Sequence, residues 1–340
     1  MAGDLIPLGC HNCGAPVQVS RGARDATCRY CGQLFQIEAA PRPRAPATFD
    51  RRAVKVGEGG DFATLREALA AAEEGARILV GPGVYEERLV IFREVHLVAA
   101  EGPGTVTLRP PRKEIERIGE RRQEAVFARR EATEARDRHK GKLWRFGDAY
   151  NAELARLEAA VDAAQRALHE DTWALEAPLV RILAPTTLEG WKLESRGWDP
   201  RHPPRAVVEA SRGASPLRLV DVELSEQSGL TLRGCDLDSD SHVSLERCSF
   251  RRFSAETTSA VTFAGLMVGE GSGSFSCSGC SFEQNFAGIS LDGTGVFRVQ
   301  DCTFRSHFVA ILRLSEGVSL DECGNVFEGN RHDLGKRNRA

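Results

Sequence analysis

Four cysteines near the start of the chain carry its clearest chemistry. Cys10, Cys13, Cys28 and Cys31 run C-x2-C-x14-C-x2-C, and a glycine, Gly14 or Gly32, follows each pair. Thiolates two residues apart on a tight turn chelate one zinc ion, and a glycine after the second cysteine accepts the positive φ that such a knuckle needs. Two knuckles complete a closed tetrahedral site. Four sulfurs fill the coordination, so the expected Zn²⁺ is structural, one per chain, and His11 is left as a surface residue.

The remaining constellations are weaker. Asp236, Asp238 and Asp240, followed by His242 and Arg247, would share one outward face if the segment were a strand, as a calcium site or a glycosidase pair requires. The stretch DLDSDSH is also ordinary turn chemistry, because Asp and Ser hydrogen-bond their own backbone, and it is read here as a turn between two core strands. Cys277 and Cys280 form a second C-x2-C, with a redox or metal reading. The repeat described next assigns both to a buried core instead. His96, His202, His307 and His332 have no acid and nucleophile close in sequence and are read as satisfied or exposed histidines. No catalytic or cofactor-binding residue is assigned.

The elements that position these residues follow from a repeat. Seven times between Thr186 and Asn325 an apolar pair two apart is followed by a two-residue skip and a second pair; the copies centre on Trp191, Val222, Cys235, Cys248, Cys280, Cys302 and Cys323. Period-two alternation puts each pair on one face of a strand, and the skip reverses the parity, so the chain turns a corner to keep all four side chains inward. That is one coil of a β-solenoid, in which each coil buries its core against its neighbours. Phe250, Phe282 and Phe304 each follow their cysteine by two residues and are expected to stack as an internal ladder. The interval of 13 on either side of Cys235 is too short for a full turn, which places that copy in another sheet of the same coil.

Composition divides the chain further. Residues 1–38 read as a zinc ribbon; the run CHNCGAPVQVSRGARDATCRYCGQLFQI is similar to the ribbons that precede unrelated domains in many bacterial proteins. Residues 39–53, with prolines at 41, 43 and 46, read as a stiff, locally basic linker. Residues 54–112 read as a capping helix, through about Glu74, and the first coils, with Thr64 or Asp61 as N-cap. Residues 113–176 are rich in Ala, Glu and Arg without proline, and Tyr150, Leu154, Leu157, Val161, Ala164 and Leu168 step as a heptad seam, as in a coiled coil. With Gly141 as the turn, this predicts an antiparallel helical hairpin inserted between two coils. Residues 177–328 carry the remaining coils, and residues 329–340 read as a polar, frayed tail.

The segment VGEGGDFATLREALAAAEEGARILVGPGVYEERLVI resembles the opening of pectin methylesterases and, more widely, the pectin-lyase-like family of right-handed parallel β-helices. The resemblance rests on Gly59, Asp61, Phe62, Thr64, Leu65, Ala68, Leu69, Ile78, Val80, Pro82, Gly83, Tyr85 and Glu87. It implies a mainly β chain folded as a right-handed parallel β-helix over residues 54–112 and 177–328, with the helix covering the open end of the first coil. The esterase motifs of the Gln-Asp-Thr and Asp-Phe-Ile-Phe-Gly types have no match after Tyr85, and neither do the Asp-Asp pair and Gly-His-Gly of polygalacturonases. The resemblance therefore transfers no catalytic residue.

With 45 basic and 48 acidic residues in 340, a formal charge of -3 offers no basic footprint for nucleic acid. The start lacks a charged segment followed by an apolar one, and no run reaches about 18 apolar residues, so a cytoplasmic chain with no membrane contact is expected. Most of the ten cysteines fall in the zinc-type set or at repeat positions, which fits a reducing compartment. The function expected is a noncatalytic β-helix scaffold presenting a repeat surface to a protein or glycan partner, with self-association through the hairpin. The alternative is a diverged carbohydrate-active enzyme, of pectin esterase or polysaccharide lyase type, acting on a polysaccharide. A nucleic-acid binder using the ribbon and basic linker is the third reading.

Overall fold

The structure, a computed structural model, describes residues 53–141, 147–198, 201–211, 214–226, 233–238, 242–253, 259–264, 274–291, 296–314 and 318–336, together with four short strands before residue 37. It divides into two units, residues 37–111 with 178–340 and residues 1–36 with 112–177.

The first unit is a parallel β-helix of three sheets holding nine, eight and eight strands. Each coil contributes one strand to each sheet in turn. A complete coil in mid-stack runs Ser274–Ser278 in the first sheet, Ser281–Glu283 in the second and Ala287–Leu291 in the third. Successive coils pair in parallel, which stacks like positions into columns. The first sheet stacks Leu97, Leu188, Leu219, Leu245, Cys277 and Val299; the third stacks Val180, Val208, Cys235, Val261, Ile289 and Ile311. Cys235 thus belongs to a different sheet from the other repeat cysteines, as its spacing indicated. In the second sheet the rings of Phe250, Phe282, Phe304 and Phe327 stack with centroids 5.0, 4.8 and 5.3 Å apart and planes within 10°. Parallel pairing fixes this spacing near the strand separation, so the ladder is a direct consequence of register.

The two-residue skip has a physical form. Between the first and second sheets one residue of each coil adopts positive φ: Asp221, Arg247, Gly279, Asp301 and Gly324 in successive coils. Each of the first four donates its backbone N–H to a carbonyl of the next coil, at 2.9 to 3.1 Å. The following residue then points inward, which is how Cys248, Cys280 and Cys302 enter the core.

Helix α1 (Leu65–Ala71) precedes the first complete coil. Thr64 and Glu67 form a reciprocal capping box, and the Glu87 carboxylate accepts from the amides of Leu65 and Arg66 at 3.1 and 3.0 Å. Leu65, Ala68 and Leu69 are buried against the strands Val54–Val56 and Leu89–Ile91. The helix stops at Ala71 rather than near Glu74, and the Arg93 guanidinium takes the Ala72 carbonyl at 2.6 Å.

The second unit contains helices α2 (Arg112–Lys140) and α3 (Asp148–Leu175), which are antiparallel: Arg121 meets Asp171 at 2.8 Å at one end and Lys140 meets Glu158 at 2.9 Å toward the other. Leu154, Leu157, Val161, Ala164 and Leu168 are half-buried, each beside exposed neighbours, so the heptad line is the inner face of the hairpin. The helices interrupt a coil rather than separating two coils, because Val106–Arg109 and Val180–Ile182 are its second-sheet and third-sheet strands. The four strands before residue 37 pair as two antiparallel ladders, Leu5–Gly9 with Pro16–Ser20 and Asp25–Thr27 with Leu34–Gln36. No helix among the described residues is long and apolar enough to cross a membrane.

Two expectations for the C-terminus are corrected. Residues 329–340 are not a frayed tail throughout, since His332–Lys336 pairs with Val309–Arg313 as the last strand of the third sheet. Backbone pairing holds that strand without a buried side-chain pattern; Leu334, its one large apolar residue, is 44% exposed on the outermost strand of the sheet. The last repeat copy is also offset by two residues. Leu320 pairs with Phe297, so Asn325, not Cys323, occupies the inward corner position, and Cys323 is exposed.

Candidate functional site

The densest cluster of reactive side chains lies inside the β-helix, at the first corner. Cys277 occupies an inward position of its strand, between Leu245 and Val299 of the adjacent coils. Cys280 and Cys302 follow the positive-φ residues Gly279 and Asp301. The three Sγ atoms lie within 4.8 Å of one another, with Cys277 and Cys302 3.6 Å apart, and all three residues are buried.

Around them the corner forms a hydrogen-bonded column. The Cys248 amide donates to Cys280 Sγ at 3.2 Å and the Cys248 thiol donates to the Leu219 carbonyl at 3.3 Å. Two coils on from Cys248, the Cys302 thiol donates to the Gln300 carbonyl at 3.2 Å, and its amide donates to Asn325 Oδ1 at 3.0 Å. Asn325 Nδ2 then donates to the Val299 carbonyl at 2.9 Å. Burial pushes the Cys277 thiol well up, and the hydrogen bonds of Cys280 to Cys248, Cys277 and Cys302 push its thiol up too. Cys302 is pulled down to about 4 by hydrogen bonds from Cys277 and Cys280.

A second column runs along the corner between the second and third sheets. Asn285 Oδ1 accepts from the Phe253 amide at 2.9 Å, and Asn285 Nδ2 donates to the Phe250 carbonyl at 3.1 Å. His307 takes the same place one coil on: its Nδ1 accepts from the Asn285 amide at 3.1 Å and its Nε2 donates to the Phe282 carbonyl at 3.2 Å. Asn330 repeats the pattern, accepting from the His307 amide at 2.9 Å and donating to the Phe304 carbonyl at 3.0 Å. His307 is therefore a buried neutral ladder residue, and burial lowers its pKa. At the same corner, toward the N-terminal end, the Ser195 hydroxyl donates to the buried Glu226 carboxylate at 3.1 Å.

Cys10, Cys13, Cys28 and Cys31 lie outside the described residues. Their sequence positions fall in the connections of the two antiparallel ladders, one C-x2-C in each. Asp236 is on the strand Arg233–Asp238, not in a turn, and its carboxylate sits between Arg205 and Arg233 at 2.8 and 3.1 Å. Asp238 ends that strand and Asp240 lies outside the described residues. Arg247 is committed elsewhere, with two hydrogen bonds of 2.7 Å to Asp221. His242 is exposed, with Nδ1 2.9 Å from the Ser274 hydroxyl. His96 faces Glu189 at 3.1 Å, and His332 lies edge-on to Phe308. Among the described residues, Arg247 pairs with Asp221 rather than with the acidic cluster.

Elsewhere on the outer faces, charge is matched between neighbouring coils: Arg218 with Glu246 at 2.9 Å, Arg298 with Asp321 at 3.1 Å and Arg305 with Glu328 at 2.7 Å. The repeat could have revealed the thiol triad, because Cys280 and Cys302 share a corner position and Cys277 is the inward neighbour three residues before Cys280. Reading each cysteine only as core hid that convergence.

No protein-family model matches the sequence, and no curated protein matches it. Among solved structures the chain is similar to a pectin methylesterase mutant in complex with a hexasaccharide, at 10% identity and a TM-score of 0.44 over 84% of this chain and 81% of that one. It is similar to Escherichia coli YbhC at 11% identity and a TM-score of 0.45, over 84% and 74%. The pectin methylesterase PemA from Erwinia chrysanthemi shows 12% identity and a TM-score of 0.39, over 84% and 91%.

Proposed function

We propose that this protein is a noncatalytic β-helix scaffold whose outer faces bind a protein or glycan partner, with a structural zinc ribbon at its N-terminus. One observation carries the reading: the side chains best suited to acid–base work are engaged in holding coils together. Asp236 is clamped by two guanidinium groups, Asp221 is held by Arg247, and His307 spans three consecutive coils inside the core. A carboxylate whose oxygens already accept from a guanidinium is poorly placed to exchange a proton with a substrate. Surface pairs of this kind contribute about 0 to 1 kcal/mol each, so they tune the coil surface more than they stabilise the fold.

The ribbon reading rests on the spacing of Cys10, Cys13, Cys28 and Cys31 and on their positions between paired antiparallel strands. Four thiolates of that spacing suit one tetrahedral Zn²⁺. The partner class is tested by affinity electrophoresis in gels containing polygalacturonate, alongside sedimentation of the protein alone. Retardation without loss of the polymer supports a glycan partner. Concentration-dependent sedimentation that Phe127→Ser abolishes supports self-association through the hairpin, where Phe127 is 57% exposed. A chain that does neither, yet consumes the polymer, contradicts the proposal.

A further inference from the structure

We propose that Cys277, Cys280 and Cys302 form a three-sulfur site for one soft monovalent cation, of the Cu(I) class, enclosed in the β-helix core. The donor set comes first. The three Sγ atoms converge within 4.8 Å, and the side chains that flank Cys277 along its column are Leu245 and Val299. Thiolates in an apolar setting select Cu(I) over the oxygen-preferring cations. At a metal–sulfur distance of about 2.3 Å, three sulfurs around a trigonal ion stand about 4.0 Å apart. The present separations need only a small adjustment to reach that value. A structural zinc takes four ligands, one more than this triad supplies.

Each of the three thiols coordinates as the thiolate: its S–H bond breaks, the electron pair forms the metal–sulfur bond, and the proton leaves to solvent. No oxidation state changes. Because all three residues are buried, the ion is expected to enter while the coils assemble.

The test refolds the full-length protein anaerobically in a thiol-free reductant, with Cu(I) supplied from a competing chelator. Copper per chain and the ultraviolet sulfur-to-copper charge-transfer band are then measured. Cys277→Val places in the column the residue type already present at Val299, and Cys280→Ala is a second variant that removes a different donor. Both are expected to bind one copper fewer than wild type and to lose the associated band. Cys323→Ala, which removes an exposed thiol outside the triad, should retain the full complement. Copper taken up by the N-terminal cysteines is common to all four proteins and cancels in the comparison. Equal copper in wild type and in whichever triad variant folds would overturn the proposal, as would zinc displacing copper from the triad in direct competition.

Discussion

The amide of Asn285 donates to His307 Nδ1 at 3.1 Å, so an imidazole stands in a corner column where the coils on either side carry asparagine. The two residue types solve one problem. Each supplies an acceptor for the preceding coil's amide and a donor for a carbonyl at the same corner, and only the imidazole can also titrate.

The first prediction concerns pH. Burial lowers the His307 pKa below its ordinary value of 6.5, so the folded chain keeps the ring neutral while the unfolded chain protonates it as pH falls. The unfolded state then binds more protons, and stability drops as pH decreases from about 6.5 toward the lowered folded value. His307→Asn should remove that slope with little loss at neutral pH, because Asn285 and Asn330 already fit the column. His307→Ala should cost about 1 to 3 kcal/mol, since it leaves the Asn285 amide and the Phe282 carbonyl unpaired. Urea unfolding from pH 5 to pH 8 measures both.

The second concerns the thiol core. Cys277→Ser places a hydroxyl between Leu245 and Val299, with an expected cost of about 1 to 3 kcal/mol. An unchanged urea midpoint would show that this position is not the closed apolar site described.

Much of the β-helix was legible because its signals are local and repeated. Phe250, Phe282 and Phe304 reported the second-sheet column directly, and the interval of 13 around Cys235 reported a different sheet. The last coil departs from the repeat, and its strands are the outermost of their sheets among the described residues. There Asn325 takes the corner position that Cys302 holds one coil earlier, and Cys323 imitates a repeat cysteine two residues early. The columns of Asn285, His307 and Asn330 were also hidden, since polar corner residues carry no hydrophobic period; their signal is the recurrence at 22 and 23 residues. The thiol triad needed both columns to be superposed before Cys277 and Cys302 could be seen to meet.

The third prediction is one zinc per chain held by Cys10, Cys13, Cys28 and Cys31. Elemental analysis of protein purified without chelator should find it, and Cys28→Ser with Cys31→Ser should abolish it. Metal ligation by four thiolates contributes on the order of 10 kcal/mol to folding of so small a segment. Zinc retained by the double variant would contradict the assignment.

The fourth concerns residues 113–176. The strands Val106–Arg109 and Val180–Ile182 belong to one coil, and in later coils the same corner is turned by three residues, 284–286 and 306–308. Joining Pro111 to Pro178 through a short glycine linker should therefore leave the β-helix folded, with loop closure now cheaper than across the whole insertion. Circular dichroism should show retained β-structure and lost helix, and sedimentation should show lost self-association. A chain that unfolds on deletion would make the helices part of the β-helix core.

The central claim is that this β-helix binds without catalysing, and turnover of methylesterified polygalacturonate measures it most directly. Released methanol and newly formed unsaturated ends, followed over long incubation at high protein concentration, should both stay at the level of a protein-free control. Turnover above that level, abolished by a single substitution such as Asp236→Asn in a chain that still folds, would contradict the account.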